Sequence, residues 1–189
     1  AYTGEISAAA LAGFNCKLAI IGHSERRELF NETNLICNEK IKRAHENNIL
    51  PILCIGESKT DRLKKVTNEV ISKQLSESLS GIEVSADKPL CIAYEPIWAI
   101  GSGLSAPYDI AQLAHRHIRL QLMKLYEEKT ANSIKILYGG SVNELNAKTL
   151  LEQQDIDGLL IGGVSLKPEE FTTICNIADA ISTKCITTQ

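Results

Sequence analysis

No run of about 18 or more apolar residues occurs in this 189-residue sequence, so nothing in it reads as a membrane span. Neither charge sign is in excess: 20 Lys and Arg stand against 23 Asp and Glu, a net charge of −3. That near-balance, at a pI of about 5.9, leaves no electrostatic footprint for a nucleic-acid backbone. The six cysteines form no C-x-x-C pair and no Cys/His cluster at zinc spacing, so neither a metal nor a cofactor is expected. Cys16, Cys54 and Cys91 lie in or beside apolar runs and read as small buried hydrophobes of a reducing compartment. A basic stretch followed by an apolar one is absent from the first twenty residues, so no secretory leader is visible and a cytoplasmic location is expected. Low-complexity tracts and linkers are also missing, which predicts a single domain over residues 1–189. What remains, 44% apolar and 23% charged residues, is an ordinary globular composition.

Five short apolar runs recur: Lys17–Ile21, Leu50–Ile55, Leu90–Tyr94, Ile134–Tyr138 and Gly158–Ile161. Rich in Ile, Leu, Val and Ala, they read as strands buried on both faces. Helical spacing predicts helices over Asn34–Asn48, Asp61–Leu79, Asp109–Glu128 and Asn143–Glu152 between them. The alternation means an α/β fold with a parallel sheet. Polar and glycine residues follow every strand: Gly22-His23-Ser24-Glu25, Gly56-Glu57-Ser58, Glu95-Pro96, Gly139-Gly140-Ser141 and Gly162-Gly163. Ligands of parallel α/β folds bind at that edge, because the loops and the following helix N-termini face one crevice there.

Glu95 ends an apolar strand and shares a face with Cys91 and Ala93, where a carboxylate is poorly solvated. Burial would raise its pKa toward that of a general base; the plainer reading is a strand-end Glu paired with a Lys or Arg. The following Pro96-Ile97-Trp98-Ala99-Ile100-Gly101-Ser102-Gly103 has a stiff, aromatic start and a glycine tip, as suits a loop that closes over a ligand. His23 is expected on the face of Ile21 and Ala19, with Ser24 as the N-cap of a helix whose positive end favours a neutral imidazole. The plainer reading is a satisfied structural histidine. His45 reads as a helix-surface residue, while His115 and His117, two apart on a helix, point to different sides and cannot share a metal. The paired glycines after the last two strands suit a phosphate, although paired glycines also make plain tight turns. A base, a neutral donor, a closing loop and a phosphate cradle together suggest proton abstraction beside a carbonyl in a small phosphorylated substrate.

Ala1-Tyr-Thr-Gly-Glu-Ile-Ser7, Ile21-Gly-His-Ser-Glu-Arg-Arg27, Cys54-Ile-Gly-Glu57, Ala93-Tyr-Glu-Pro-Ile-Trp-Ala-Ile-Gly-Ser-Gly103, Tyr138-Gly-Gly-Ser-Val142 and Leu160-Ile-Gly-Gly-Val-Ser-Leu166 closely resemble the triosephosphate isomerase family, in the family's order and over essentially the whole chain. The resemblance implies a (β/α)8 barrel that interconverts dihydroxyacetone phosphate and glyceraldehyde 3-phosphate through an enediolate without a cofactor, in glycolysis and gluconeogenesis. It implies Glu95 as base, His23 as electrophile and Glu25 as a supporting acid. Backbone N–H groups of Gly101, Ser141, Gly162 and Gly163 would bind the phosphate, and Tyr138 and Ser141 would help hold the closed loop. A homodimer is implied, with Thr3 and Glu5 in a loop that enters the partner and Glu5 meeting Arg26 across it. Ser102 stands where the family more often has Thr, and Val164 where it has Ala.

The family carries an Asn and a Lys at the end of its first strand, and the residues before Ala1 that would hold them are not in this sequence. The expectation is an incomplete barrel of about the last five βα units plus the loop after the third strand, lacking the first two units and most of the third. An isolated chain of this kind is expected to aggregate or stay partly unfolded. Alternative readings are a catalytically incompetent phosphate-binding fragment, or an epimerase on another phosphate-binding β/α barrel, which would share the glycine turns but not Glu95-Pro-Ile-Trp98 or His23-Ser-Glu-Arg26.

Overall fold

The computed structural model describes residues 2–100 and 105–187. Its centre is a parallel five-stranded sheet in chain order, formed by β1 (Leu18–Ile21), β2 (Leu50–Ile55), β3 (Cys91–Tyr94), β4 (Lys135–Tyr138) and β5 (Gly158–Leu159). The sheet is open: among the described residues β1 pairs only with β2 and β5 only with β4. Each strand core follows the apolar run that announces it, but burial on both faces holds for β2 and β3 only. Leu18 and Ile20 of β1 are exposed and β5 is half-buried, because the open sheet leaves its edges uncovered. One face carries Ile52, Cys54, Cys91 and Ala93 in a small inner cluster. The opposite face carries Leu53, Ile55, Ile92, Tyr94, Ile136 and Tyr138, which pack under the helices in the main core.

The helices are α1 (Ala8–Gly13), α2 (Ser24–Phe30), α3 (Asn34–Glu46), α4 (Lys59–Leu63), α5 (Thr67–Ser78), α6 (Tyr108–Leu125), α7 (Glu128–Ser133), α8 (Ala147–Leu151) and α9 (Pro168–Thr187). The longer ones bury one stripe at helical spacing: Cys37, Ile41 and Ala44 on α3, Ile71 and Leu75 on α5, Ala111, Ala114, Ile118 and Leu122 on α6. Left-handed residues end several of them. After α1 and α3, Asn15 (φ 62) and Asn48 (φ 55) turn the chain, and the next amide reaches back to close the helix, Cys16 N to Leu11 O at 3.0 Å and Ile49 N to Ala44 O at 2.9 Å.

The same device corrects one expectation. The single helix over Asp61–Leu79 is two helices, because Lys65 adopts φ 60 and Val66 N closes on Asp61 O at 3.1 Å. A capping box between Ser58 and Asp61 makes the short α4 an element of its own. The helix over Asn143–Glu152 is likewise shorter, since the Asn143 side chain accepts from the Leu145 and Asn146 amides and holds a turn ahead of Ala147. His45 is half-buried rather than a surface residue, its Nε2 2.9 Å from the Pro89 carbonyl. Cys37, Cys54 and Cys91 are buried, Cys16 is half-buried and Cys175 exposed, and all five are free thiols.

His115 and His117 do point apart. His117 is half-exposed beside Ser72 and the Asn68 carbonyl, whereas His115 is fully buried with Nδ1 donating to the Asp155 carbonyl at 3.1 Å. Burial lowers the His115 imidazole from 6.5 to about 4. The unfolded chain therefore binds a proton there that the native state refuses, and stability falls as pH drops from 6.5 toward 4. The loss from this one group is on the order of 3 kcal/mol. Thermal melts across that window are expected to show a steeper decline for the native sequence than for His115→Phe; equal slopes would contradict the assignment.

Candidate active site

At the carboxyl ends of the strands lies a cleft of about 540 Å³, lined by His23, Glu95, Ser141, Gly162 and Gly163 among others. Of the strand-end polar residues that the sequence singles out, His23, Glu95 and Ser141 are thus brought to one place, while Glu25, Glu57 and Ser58 do not line the cleft. Lys167 stands at the rim, its Nζ held 2.9 Å from Glu170 Oε1.

Glu95 keeps the inward face of Cys91 and Ala93 because β3 continues unbroken to it, its amide bonding the Ile55 carbonyl at 2.7 Å. Only 2% of the residue is exposed. Its Oε2 accepts from Ser24 N at 3.0 Å and its Oε1 lies 3.0 Å from His23 Nε2. No Lys or Arg forms an ion pair with it among the described residues. Burial raises its carboxyl above the ordinary range; His23, the Ser24 amide and Cys54 pull the other way without cancelling that shift. A Cβ at Gly56 would run into the Glu95 carbonyl, so glycine is what lets the ends of β2 and β3 approach this closely.

His23 reaches Glu95 by a route that alternation does not predict. Ile21 and Ala19 pack into the core beneath the helices, while His23 lines the cleft with Ile20. The reversal occurs at Gly22, whose φ of 71 breaks the two-residue period. His23 itself, not Ser24, caps α2: its Nδ1 accepts from Glu25 N at 3.4 Å. An accepting Nδ1 puts the ring proton on Nε2, which donates toward Glu95. The turn is fixed from behind by Glu32, buried to 4% exposure, which accepts from Gly22 N at 2.8 Å, Arg26 Nε at 2.6 Å and Lys40 Nζ at 2.7 Å. Burial alone would raise this carboxyl, but Lys40, Arg26 and the amide together hold it below the usual value.

After Glu95 comes Pro96, then a 3-10 turn over Ile97–Ala99 and extended Ile100. Gly101, Ser102 and Gly103 lie outside the described residues. Trp98 is tethered by its indole N–H to Glu57 Oε1 at 2.8 Å, and the Arg62 guanidinium stacks 4.2 Å above its ring. Glu57 is fully buried and also accepts from the Tyr94 hydroxyl at 2.9 Å. Sequence reasoning assigned Glu57 no role, although it stands at a strand end after Cys54-Ile-Gly, much as Glu95 ends β3. At the far flank the Ala106 amide donates to the Tyr138 hydroxyl at 3.2 Å.

The glycine turns face the cleft with bare backbone: no atom comes within 4 Å of where a Cβ would stand at Gly162 or Gly163. Ser141 lines the cleft beside them. Glu25 is exposed on the first turn of α2, and among the described residues no hydrogen bond or ion pair joins it to Glu95. Thr3 is exposed, while Glu5 pairs within the chain, Oε1 lying 2.8 Å from Arg26 Nη2 and Oε2 3.7 Å from Lys40. The Glu5–Arg26 pair is therefore satisfied here without a second subunit. Among the described residues no group of three or more His, Cys, Asp or Glu is placed to hold a metal ion, and no helix is long and apolar enough to cross a membrane.

The family model for triosephosphate isomerase matches residues 1–178. Curated relatives bearing that name include those of Dictyoglomus turgidum, 47% identical over 174 residues, and Lacticaseibacillus casei, 46% identical over 179 residues. The alignments cover 92% and 95% of this chain and 70% and 71% of those proteins. The relative from Acidithiobacillus ferrooxidans is 45% identical over 181 residues, covering 95% of this chain and 70% of its own length. A parallel sheet with alternating helices, a strand-end carboxylate beside an imidazole and glycine turns at the same edge agree with that match, and the chain belongs to the triosephosphate isomerase family.

Proposed function

We propose that Glu95 is the base and His23 the hydrogen-bond donor of the family's reaction, the interconversion of dihydroxyacetone phosphate and glyceraldehyde 3-phosphate. The observation that carries this reading is the buried carboxylate facing an Nε2–H at 3.0 Å in the cleft with the glycine turns. The Glu95 carboxylate takes a proton from the carbon next to the carbonyl. The released electron pair forms the carbon–carbon double bond of an enediolate, and charge collects on the former carbonyl oxygen, where the His23 Nε2–H donates. The hydroxyl proton then passes from one enediolate oxygen to the other beside the His23 Nε2–H, and return of the carbon-bound proton to the neighbouring carbon gives the other triose. A carboxyl raised by burial makes a stronger base than a solvated one, and it can accept and return the proton near neutral pH. To meet the substrate Glu95 must leave Ser24, whose amide donates to Oε2 at 3.0 Å and whose hydroxyl donates to Oε1 at 3.5 Å.

The phosphate is proposed to sit on the backbone amides of Ser141, Gly162 and Gly163, with Gly101 contributing from beyond the described residues. Residues 96–103 would close over it and expel water, Tyr138 helping to hold them, and Glu25 would act as a supporting acid. Glycerol 3-phosphate, an unreactive ester of the same size, is expected to compete with substrate and to shift the amide resonances of Ser141, Gly162 and Gly163. Competition without shifts there would overturn the phosphate assignment.

Residues 1–189 are proposed to act as one β/α unit, in the cytoplasm, and as a homodimer with Thr3, Glu5 and Arg26 near the partner. The exposed side chains of Tyr2 and Ile6 on the same segment support an occluding partner there. A dimeric mass for the complete protein at micromolar concentration is the expected result, and a monomeric mass for it would contradict the proposal.

A further inference from the structure

We infer that His115, buried in the core behind the cleft, is a positioning residue that sets both flanks of the segment following Glu95. His115 lies on α6 between two tyrosines of neighbouring strands. Its ring meets Tyr94 edge-on, centroids 5.6 Å apart at 87°, and lies tilted against Tyr138 at 6.3 Å and 32°. Each tyrosine ends in a hydroxyl that holds one flank. Tyr94 donates to Glu57, which accepts from Trp98 on the near side, and Tyr138 accepts from the Ala106 amide on the far side. One imidazole therefore touches the bases of both tethers, which reach residues eight apart in sequence.

The ring's own placement is fixed at a single point. Nδ1 donates to the Asp155 carbonyl at 3.1 Å, whereas Nε2 is buried with no hydrogen-bond partner. An unpartnered buried acceptor is destabilising, and an apolar ring would fill the space without that cost. The imidazole is held in register by the Asp155 carbonyl, which orients its plane against the two tyrosines. That orienting bond distinguishes it from a simple core filler. The edge-on contact with Tyr94 and the tilted contact with Tyr138 both constrain ring position, so a shift of His115 moves both hydroxyls together. The consequence for turnover rests on the catalytic reading proposed above, whereas the coupling of the flanks does not.

Trp98 is the sole tryptophan of the chain, so its emission reports one flank, and the hydrogen-exchange rate of the Ala106 amide reports the other. Neither readout requires turnover, so failure of the coupling and failure of the catalytic reading are told apart. In His115→Asn, which keeps a donor for Asp155 but removes the ring, Ala106 exchange is expected to quicken roughly tenfold and Trp98 emission to shift with it. His115→Phe restores an aromatic contact but not the bond to the Asp155 carbonyl, and is expected to bring both readouts back only part of the way. Leu122→Ala, a cavity in the same helix away from the tyrosines, serves as a control of comparable stability loss and should move neither. If His115→Asn does not fold, His115→Leu takes its place with the same expectation. A change at one flank only, no change at either, or equal changes in Leu122→Ala would overturn the inference.

Discussion

Replacing Glu95 by Gln is expected to lower kcat by about two to four orders of magnitude, the range by which a positioned general base accelerates proton transfer. The substitution is nearly isosteric, and a Gln side-chain oxygen can still accept from the Ser24 amide at the 3.0 Å position that Oε2 occupies. What disappears is the basicity of the carboxylate that takes the proton from carbon, since a neutral amide oxygen is far too weak a base for it. Fold loss does not confound the result, because the sign of the stability change is opposite. Burial raises the folded carboxyl above its ordinary value, so the stability it contributes is present below 4.5 and is lost as pH rises through the folded value. The ionised carboxylate carries that penalty, and the neutral amide removes it. Glu95→Gln is therefore expected to melt no lower than the native protein while being nearly inactive. A variant with half the native kcat, or one that melts well below it, would contradict the assignment.

Replacing His23 by Gln is expected to cost about two to three orders of magnitude in kcat, the loss typical of removing one donor to a developing oxyanion. KM should change less, since the phosphate contacts assigned to Ser141, Gly162 and Gly163 are untouched. The geometry makes the imidazole hard to replace. Its Nδ1 is spent on the Glu25 amide, its Nε2–H faces Glu95, and Gly22 and Glu32 hold the turn that carries it. A Gln amide can offer an N–H but cannot cap α2 with the same atom set, so a small loss of helix stability accompanies the kinetic one. If kcat is preserved and only KM rises, His23 serves binding and not the enediolate.

Strand positions were legible because the strands are continuous apolar runs, buried on both faces in β2 and β3, and Glu95 was legible because β3 keeps its alternation up to its carboxyl end. His23 was found for its place at the same edge, but its face was misread. Nothing in the sequence reports that Gly22 takes φ 71 and reverses the side on which the next residue points. The helix ends show the same contrast. Asn15 and Asn48 are residues that tolerate the left-handed region, whereas Lys65 does so without a sequence signature and splits the expected helix. The long α9 carries its start in local signals, Pro168 at its first position and Glu169 and Glu170 in the first turn. Glu57 was beyond local reading altogether. Its partner Trp98 is 41 residues away, and a strand-end Glu looks alike whether it anchors an indole or takes a proton.

The most direct test of Glu95 as the group that takes the carbon-bound proton is deuterium exchange between solvent and substrate. Dihydroxyacetone phosphate incubated in D2O with the native protein should gain deuterium on carbon in both the recovered substrate and the glyceraldehyde 3-phosphate formed. With Glu95→Gln at equal concentration, folded and melting at or above the native temperature, that exchange should fall to near the background of buffer alone. Exchange by Glu95→Gln at the native rate would show that another group takes the proton.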